Sequence, residues 1–253
     1  MLEVVILGTG NVASHLFKAF SEKENIDVIQ VYNHNKESLK SFSNLTNTTT
    51  NIQQLKKADF YFIAIKDDVI PEIARQLSKY KGIILHTSGA VGIDMLKHTA
   101  NYGVFYPLQS FSRNTTIDFT EIPICIEANS AENLEKIKTL ALTISKDVRE
   151  VNSEQRKALH VAAVFINNFS NHLYAIGAEI CNEHAVDFSI LKPLISETAS
   201  KIQTLSPYEA QTGPALRNDH KTIETHLAIL SNKHKNLYRE ITQSIQDLHG
   251  KEL

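Results

Sequence analysis

Leu2-Glu3-Val4-Val5-Ile6-Leu7-Gly8-Thr9-Gly10-Asn11-Val12-Ala13-Ser14-His15-Leu16-Phe17-Lys18-Ala19-Phe20 opens the chain, and its reading decides the fold. Residues 2–7 are a short run dominated by apolar and β-branched side chains, the pattern of a buried strand. The run passes directly into Gly8-Thr9-Gly10-Asn11-Val12-Ala13, which fits G-x-G-x-x-A. Val12, Leu16, Ala19 and Phe20 then recur at helical spacing. Gly8 permits a tight turn out of the strand. Gly10 has no Cβ, so a pyrophosphate can approach the backbone, and Ala13 lets the helix pack closely on the strand. The unpaired N–H groups of the helix N-terminus carry partial positive charge and would face the phosphates. Glycines also make ordinary turns, but a strand before the motif and a helix after it are the context a dinucleotide site requires. Gly8, Thr9, Gly10, Asn11 and Val12 are therefore candidate cofactor contacts.

Outward from this stretch, strand and helix signals keep alternating. Residues 26–32 read as a second strand ending at Asn33-His34-Asn35, about 20 residues past the glycine loop. An NAD site usually carries Asp or Glu there, bonded to the ribose hydroxyls. Asn33 stands there instead, followed by His34 and then Lys36. A carboxylate would repel a 2′-phosphate by roughly a few kcal/mol at an effective dielectric of ~20. Its absence, with His34 and Lys36 nearby, favours NADP over NAD; the alternative is that Asn33-His34-Asn35 is a simple polar turn. Residues 46–50 fit a short third strand near a sheet edge, and 59–65 a central strand ending at Lys66-Asp67-Asp68. A helix follows over about 69–80. Ligands bind at the carboxyl ends of such strands, so Ile65 and Lys66 should lie against the cofactor, unless Lys66 is a solvated loop lysine. Residues 82–86 deliver Thr87-Ser88-Gly89 to the same edge, with Ser88 either a ligand contact or a helix cap.

A strand over 102–106 is broken by Pro107 and leads into a loop containing Gln109. A polar excursion spans 112–121. Residues 122–127 return as a strand, and Pro123 suggests an edge position. An amphipathic helix over 131–145 and a short strand over 147–151 close this domain. After Ser153 the strand signals stop. A long helical stretch to about His184 is apolar around much of its circumference, which predicts a central helix buried on several sides. A second helical segment covers 188–205, a loop with Pro207, Gly213 and Pro214 follows, and a last helix covers 222–248. The expected fold is α/β: a Rossmann-type doubly wound parallel sheet followed by an all-α C-terminal domain. The expected domains are a dinucleotide-binding domain over 1–151 and a helical substrate and dimerisation domain over 152–253.

At 253 residues the chain can bury a substantial core and hold two modest domains. Its net charge of −2 suggests no electrostatic grip on nucleic acid or an anionic membrane. The two cysteines, Cys125 and Cys181, are far apart and form no C-x-x-C pair, which fits a reducing compartment. The fold is expected to begin at Leu2 with no signal peptide ahead of it, and no apolar run reaches the roughly 20 residues of a membrane span. A cytoplasmic protein is expected. Cys181-x-x-His184 is a single pair, and His220 and His226 are six apart, so no metal is expected. No G-x-S-x-G nucleophile elbow is present.

Polar residues interrupt the long helix at His160, Asn167, Asn168 and Asn171. Positions seven apart return to nearly the same face after two turns, and polar groups on an apolar helix need hydrogen bonds or a wet cleft. His160 is then a candidate general acid for the group receiving a hydride, a role worth ~10²–10⁴ in rate. Asn167 would orient a substrate oxygen. Alternatively, His160 is a satisfied core histidine and the asparagines bond each other. Arg217, after the Gly213-Pro214 turn, could clamp a substrate carboxylate in bidentate fashion. It could equally pair with Asp219, which sits where a helix N-cap would be.

Six stretches together carry a family resemblance: VVILGTGNVASHL from Val4, ADFYFIAIKDDVI from Ala58, ILHTSGA from Ile84, YPLQSFS from Tyr106, LHVAAVFINNFSNHLY from Leu159 and TGPALRNDHKTIETHL from Thr212. The chain resembles the NADP oxidoreductases that join a Rossmann-like N-terminal domain to a helical C-terminal domain of unknown function. Those are relatives of pyrroline-5-carboxylate reductase, ketopantoate reductase and the deazaflavin-dependent NADP reductases. The resemblance implies a nicotinamide held between the sheet edge and the long helix, and a homodimer formed through the C-terminal helices. It implies NADP more firmly than any substrate. Asn218 stands where many members have glycine. The expected function is an NADP-dependent oxidoreductase acting on a small, anionic carbonyl or imine acid, with His160, Asn167 and Arg217 as the catalytic set. The rival is a non-catalytic NADP(H)-binding sensor or interaction protein.

Overall fold

The computed structural model describes residues 1–112, 115 and 117–249. Strands β1 (Leu2–Leu7), β2 (Ile26–Tyr32), β3 (Asn47–Thr49), β4 (Phe60–Ile63), β5 (Ile83–His86), β6 (Tyr102–Pro107), β7 (Ile124–Ala128) and β8 (Val148–Glu150) form one sheet. Their order is β3-β2-β1-β4-β5-β6-β7-β8. Helices α1 (Asn11–Ser21), α2 (Ile70–Gln76) and α3 (Ala131–Leu142) cover its faces. The continuous apolar run of β1 is explained by this layering. Val4 and Ile6 pack into one core with Leu16, Phe20 and Phe62, while Val5 and Leu7 pack into the other with Ile63, Ile70 and Leu77. β1 pairs with β2 on one side and with β4 on the other, so the winding reverses between β1 and β4. A crevice at that reversal, at the carboxyl ends of the strands, is where this architecture binds ligands.

The sheet is mostly parallel, as expected of a doubly wound fold, with one antiparallel pairing. β7 runs antiparallel to β6, with Pro107 opposite Ile124. A parallel neighbour needs a long crossover, usually a helix. The connection from β6 to β7 contains a single 3-10 turn, Phe119–Glu121, among its described residues. The chain folds back instead, closed by Leu108 N–H donating to the Pro123 carbonyl at 2.8 Å. β7 is flanked by β6 and β8, so it is not an edge strand. Pro123 avoids the conflict because it lies just before the ladder. The true edges are the three-residue strands β3 and β8. Parts of the polar excursion expected over 112–121, at 113, 114 and 116, lie outside the described residues. The helix predicted over 69–80 is shorter, a 3-10 turn Asp67–Val69 followed by α2.

The C-terminal region is helical: α4 (Ser153–Ala163), a π-helical segment Val164–Phe169, α5 (Ser170–Glu183), α6 (Lys192–Lys201), α7 (Pro207–Ala210), α8 (His220–Ile229) and α9 (Asn232–His249). Two predicted helices are therefore interrupted. The stretch over 153–184 contains a π turn, which adds about one residue per turn and barely shifts an apolar pattern. The helix predicted over 222–248 breaks where Leu230 becomes extended, at ψ 140°. The second segment, predicted helical over 188–205, is a 3-10 turn Phe188–Leu191 leading into α6. The long stretch is also not buried on several sides, for Val161 is 58% and Ile166 78% exposed. Apolar periodicity reports what a face is made of, not what covers it. By compactness the chain divides into Met1–Asn167 and Asn168–Leu253, a division inside the π segment. Among the described residues no helix is long and apolar enough to cross a membrane.

Candidate functional site

A cleft of about 990 Å³ opens at the reversal between β1 and β4. Gly8, Thr9, Gly10, Asn11, Val12, Asn33, His34, Ile65, Lys66 and Ser88 all line it. Gly8 has φ +126°, and a Cβ there would fall 2.1 Å from the Ala64 carbonyl oxygen. Only glycine permits β1 to leave the sheet so close to β4. Gly10 is different. Its φ is −76°, and nothing lies within 4 Å of where its Cβ would be. It therefore leaves open space over the backbone. Gly10 is also the N-cap of α1, and no side chain caps that helix. The first amides of α1 have no intrahelical partner by geometry, and they open onto the cleft.

Polar side chains brace the loop. Asn33 Nδ2 donates to Thr9 Oγ1 at 2.7 Å, and Asn33 Oδ1 accepts from Asn35 N–H at 2.8 Å. Asn11 Nδ2 donates to the Phe111 carbonyl at 2.7 Å. Ser88 is buried; its hydroxyl donates to Asp67 Oδ2 at 2.8 Å and accepts from Ala90 and Val91 N–H at 3.1 Å each. Ser88 thus caps the following turn and lines the cleft at once. The titratable side chains lining the cleft are mixed: His34 and Lys66 beside Asp67, Asp68 and Glu72. Burial, then the Glu72 charge, raises the pKa of Tyr32 at the end of β2. Lys36 does not line this cleft; it lines a smaller depression with Lys40 and Thr48.

His160, on α4, is half-buried and sits over the loop that follows β5. Its Nδ1 is 3.2 Å from the Tyr106 hydroxyl, and the two rings meet edge-on at 6.2 Å. A Cβ on Gly89 would fall 2.7 Å from that nitrogen. One turn earlier on α4, Arg156 is wholly buried. It bonds Glu127 Oε2 at 2.5 Å, the Val91 carbonyl at 2.6 Å and Ser153 Oγ at 3.3 Å. Ser153 in turn donates to Glu127 and accepts from Ile93 N–H. This network fastens the start of α4 to β7 and to the loop after β5. His86 is buried beside it and accepts from Ser88 N–H at 3.2 Å. Burial first, then the Arg156 cation, pushes its pKa down to about 3.

The other predicted residues are placed differently. His160 stands next to the cleft rim through Gly89 but does not line the cleft. Asn167 lies in the π segment and is exposed, so the file through His160 and Asn167 does not keep helical phase. Arg217 is exposed, in the second unit. Its neighbour Asp219 caps α8, accepting from Thr222 N–H at 3.1 Å. Asn218 has φ +52°, the left-handed conformation that also suits glycine. Tyr106, Arg156, Glu127 and His86 were not singled out by the sequence. The available signal was Arg156 three and four residues before Leu159 and His160, an inward-facing charge in need of a partner. Among the described residues no group of three or more His, Cys, Asp or Glu is placed to hold a metal ion.

The chain is similar over 97% of its length to the crystal structure of a "putative NADP oxidoreductase" from Bacteroides fragilis, at 37% identity, 98% coverage of that chain and a TM-score of 0.90. This chain belongs to that NADP oxidoreductase family. Its two halves match two family models. Residues 3–89 match the coenzyme F420-dependent NADP oxidoreductases, and residues 122–245 match a domain of unknown function, DUF2520. The family fold extends to more distant structures. An imine reductase from Myxococcus stipitatus in complex with NADP+ is 15% identical, with 98% and 93% of the two chains covered and a TM-score of 0.63. A 1-pyrroline-5-carboxylate reductase from Streptococcus pyogenes is 14% identical, with 97% and 98% covered and a TM-score of 0.61. No curated protein matches the sequence.

Proposed function

We propose that the protein is an NADP-dependent oxidoreductase acting on a small carbonyl or imine acid in the cytoplasm. The observation that carries the reading is the β1–α1 turn. There Gly8 is forced into a positive φ, Gly10 leaves the backbone open, and α1 has no side-chain cap. Such a turn fits a diphosphate, and a cleft of about 990 Å³ has room for the remainder of a dinucleotide. When bound, NADP supplies or takes the hydride. The chain's own residues do the rest. The α1 amides bind the diphosphate, and Asn33 and Asn11 hold the loop in shape. His34, which of the two predicted 2′-phosphate contacts is the one that lines the cleft, would hydrogen-bond the phosphate of NADP, with Glu72 on the same cleft wall opposing it. His160, beside the Ser88-Gly89 rim, holds the proton for the atom that gains or loses hydride. Arg217 anchors the carboxylate; it makes no ion pair among the described residues.

The chain also pairs with a second copy in this reading. Among the described residues of the second unit, only Ala215 and His249 are buried. Leu173, Ile190, Leu194 and Ile229 are exposed. A helical unit of this size needs more buried apolar area than that to be stable. Sedimentation at micromolar concentration should give a dimer.

The activity test is a panel of 2-oxo acids and cyclic imines with NADPH, followed by loss of its absorbance. Turnover abolished by His160→Gln supports the assignment, and full activity in that variant removes His160 from the chemistry. NADPH binding without turnover on the whole panel would fit a binding protein instead.

A further inference from the structure

Tyr106 lies on β6 and His160 on α4, and three features fix their meeting. The hydroxyl is 3.2 Å from Nδ1, the rings are edge-on, and Gly89 leaves just enough room. A Cβ on Gly89 would fall 2.7 Å from His160 Nδ1 and 2.8 Å from Tyr106 Cζ. The Arg156 network holds α4 in place one turn earlier.

We propose that Tyr106 is a positioning residue that keeps a proton on Nε2 of His160. Its use in catalysis rests on His160 being the proton donor; the proton's location does not. A neutral imidazole donates through one nitrogen and accepts through the other. Among the described residues, Nδ1 is the hydrogen-bonding partner found for the Tyr106 hydroxyl. Were the neutral ring protonated on Nδ1, it would donate to the phenol oxygen, and the phenol proton would lose its acceptor in a half-buried corner. With the proton on Nε2, the hydroxyl donates to Nδ1 and both groups are satisfied. Burial raises the pKa of Tyr106, Cys125 adding to this and Arg156 opposing it, so the hydroxyl keeps its proton. When the ring is doubly protonated, the hydroxyl turns and accepts from Nδ1. Nε2 therefore presents a donor in both charge states, which suits an oxygen or nitrogen about to gain a proton.

Long-range ¹H–¹⁵N correlation on the full ¹⁵N-labelled chain tests this, with the His160 signals assigned by their loss in His160→Gln. Above the histidine titration, wild type should show the Nε2–H tautomer, and Tyr106→Phe should show a mixture of both. An Nδ1–H tautomer in wild type overturns the proposal and needs no variant to fold. An unchanged tautomer in a folded Tyr106→Phe overturns it equally. If a substrate is found, Tyr106→Phe should lower kcat about tenfold or more with KM for NADPH unchanged. Failure of wild type to bind NADPH would sink the proposed function while leaving the tautomer result standing.

Discussion

Acid should weaken this fold through His86, and the size of the effect can be worked from its surroundings. His86 is fully buried at the end of β5, accepts from Ser88 N–H and has the Arg156 cation nearby. Its pKa falls from 6.5 to about 3. Between those values the unfolded chain binds a proton that the folded chain refuses. The stability tied to neutral His86 is therefore complete above about pH 6.5 and is lost as pH falls toward about 3. The slope is ~1.4 kcal/mol per pH unit. Between about pH 7.5 and pH 4.5 that amounts to roughly 3 kcal/mol. His86→Asn removes the titration while offering an oxygen near the position of Nδ1 to Ser88. Its smaller volume shifts the whole stability curve but not its dependence on pH. Urea unfolding followed by circular dichroism, at constant ionic strength across that range, reads the difference. Wild type should lose roughly 2–3 kcal/mol more than His86→Asn on acidification. Parallel curves for the two proteins would refute the reasoning, because they would mean that His86 takes up protons equally in both states.

The two glycines of the first turn should behave oppositely. Gly8→Ala, with a Cβ 2.1 Å from the Ala64 oxygen at φ +126°, should cost about 3 kcal/mol or more in thermal or urea unfolding. Gly10→Ala should change stability by less than about 1 kcal/mol, yet weaken NADPH binding about tenfold or more in calorimetry. Arg156→Met leaves Glu127 without its buried cation and should cost about 3–5 kcal/mol, part of which Glu127→Gln in the same chain restores. Gly89→Ala should leave NADPH affinity within about twofold but displace the Tyr106–His160 pair, seen as a shifted His160 resonance.

The parts of the fold legible in the sequence are those whose surroundings are uniform. β1, β2, β4 and β5 lie between two packed layers, so their apolar runs mark them directly. The glycine turn is legible because Gly8 and Gly10 answer to backbone geometry that other residues cannot meet. Strand direction is not written in such runs. The antiparallel β7 follows a connection with no crossover helix among its described residues, and the sequence over 108–123 does not mark that clearly. The π segment Val164–Phe169 keeps a helix-like apolar pattern and hides its change of pitch. At the site, single residues near the glycine loop were readable because a short loop brings them together. The Tyr106–His160 and Arg156–Glu127 pairs join positions 54 and 29 residues apart, and no local pattern announces them.

Every role assigned above depends on a dinucleotide diphosphate resting on the bare amides of α1 beside Gly10. Calorimetric titration of the full chain with NADPH, set against Gly10→Val, tests it most directly. Saturable one-to-one binding in wild type, and none in a Gly10→Val variant that unfolds at the wild-type temperature, is the result expected. Equal binding by the two proteins, or no binding by wild type, would contradict it.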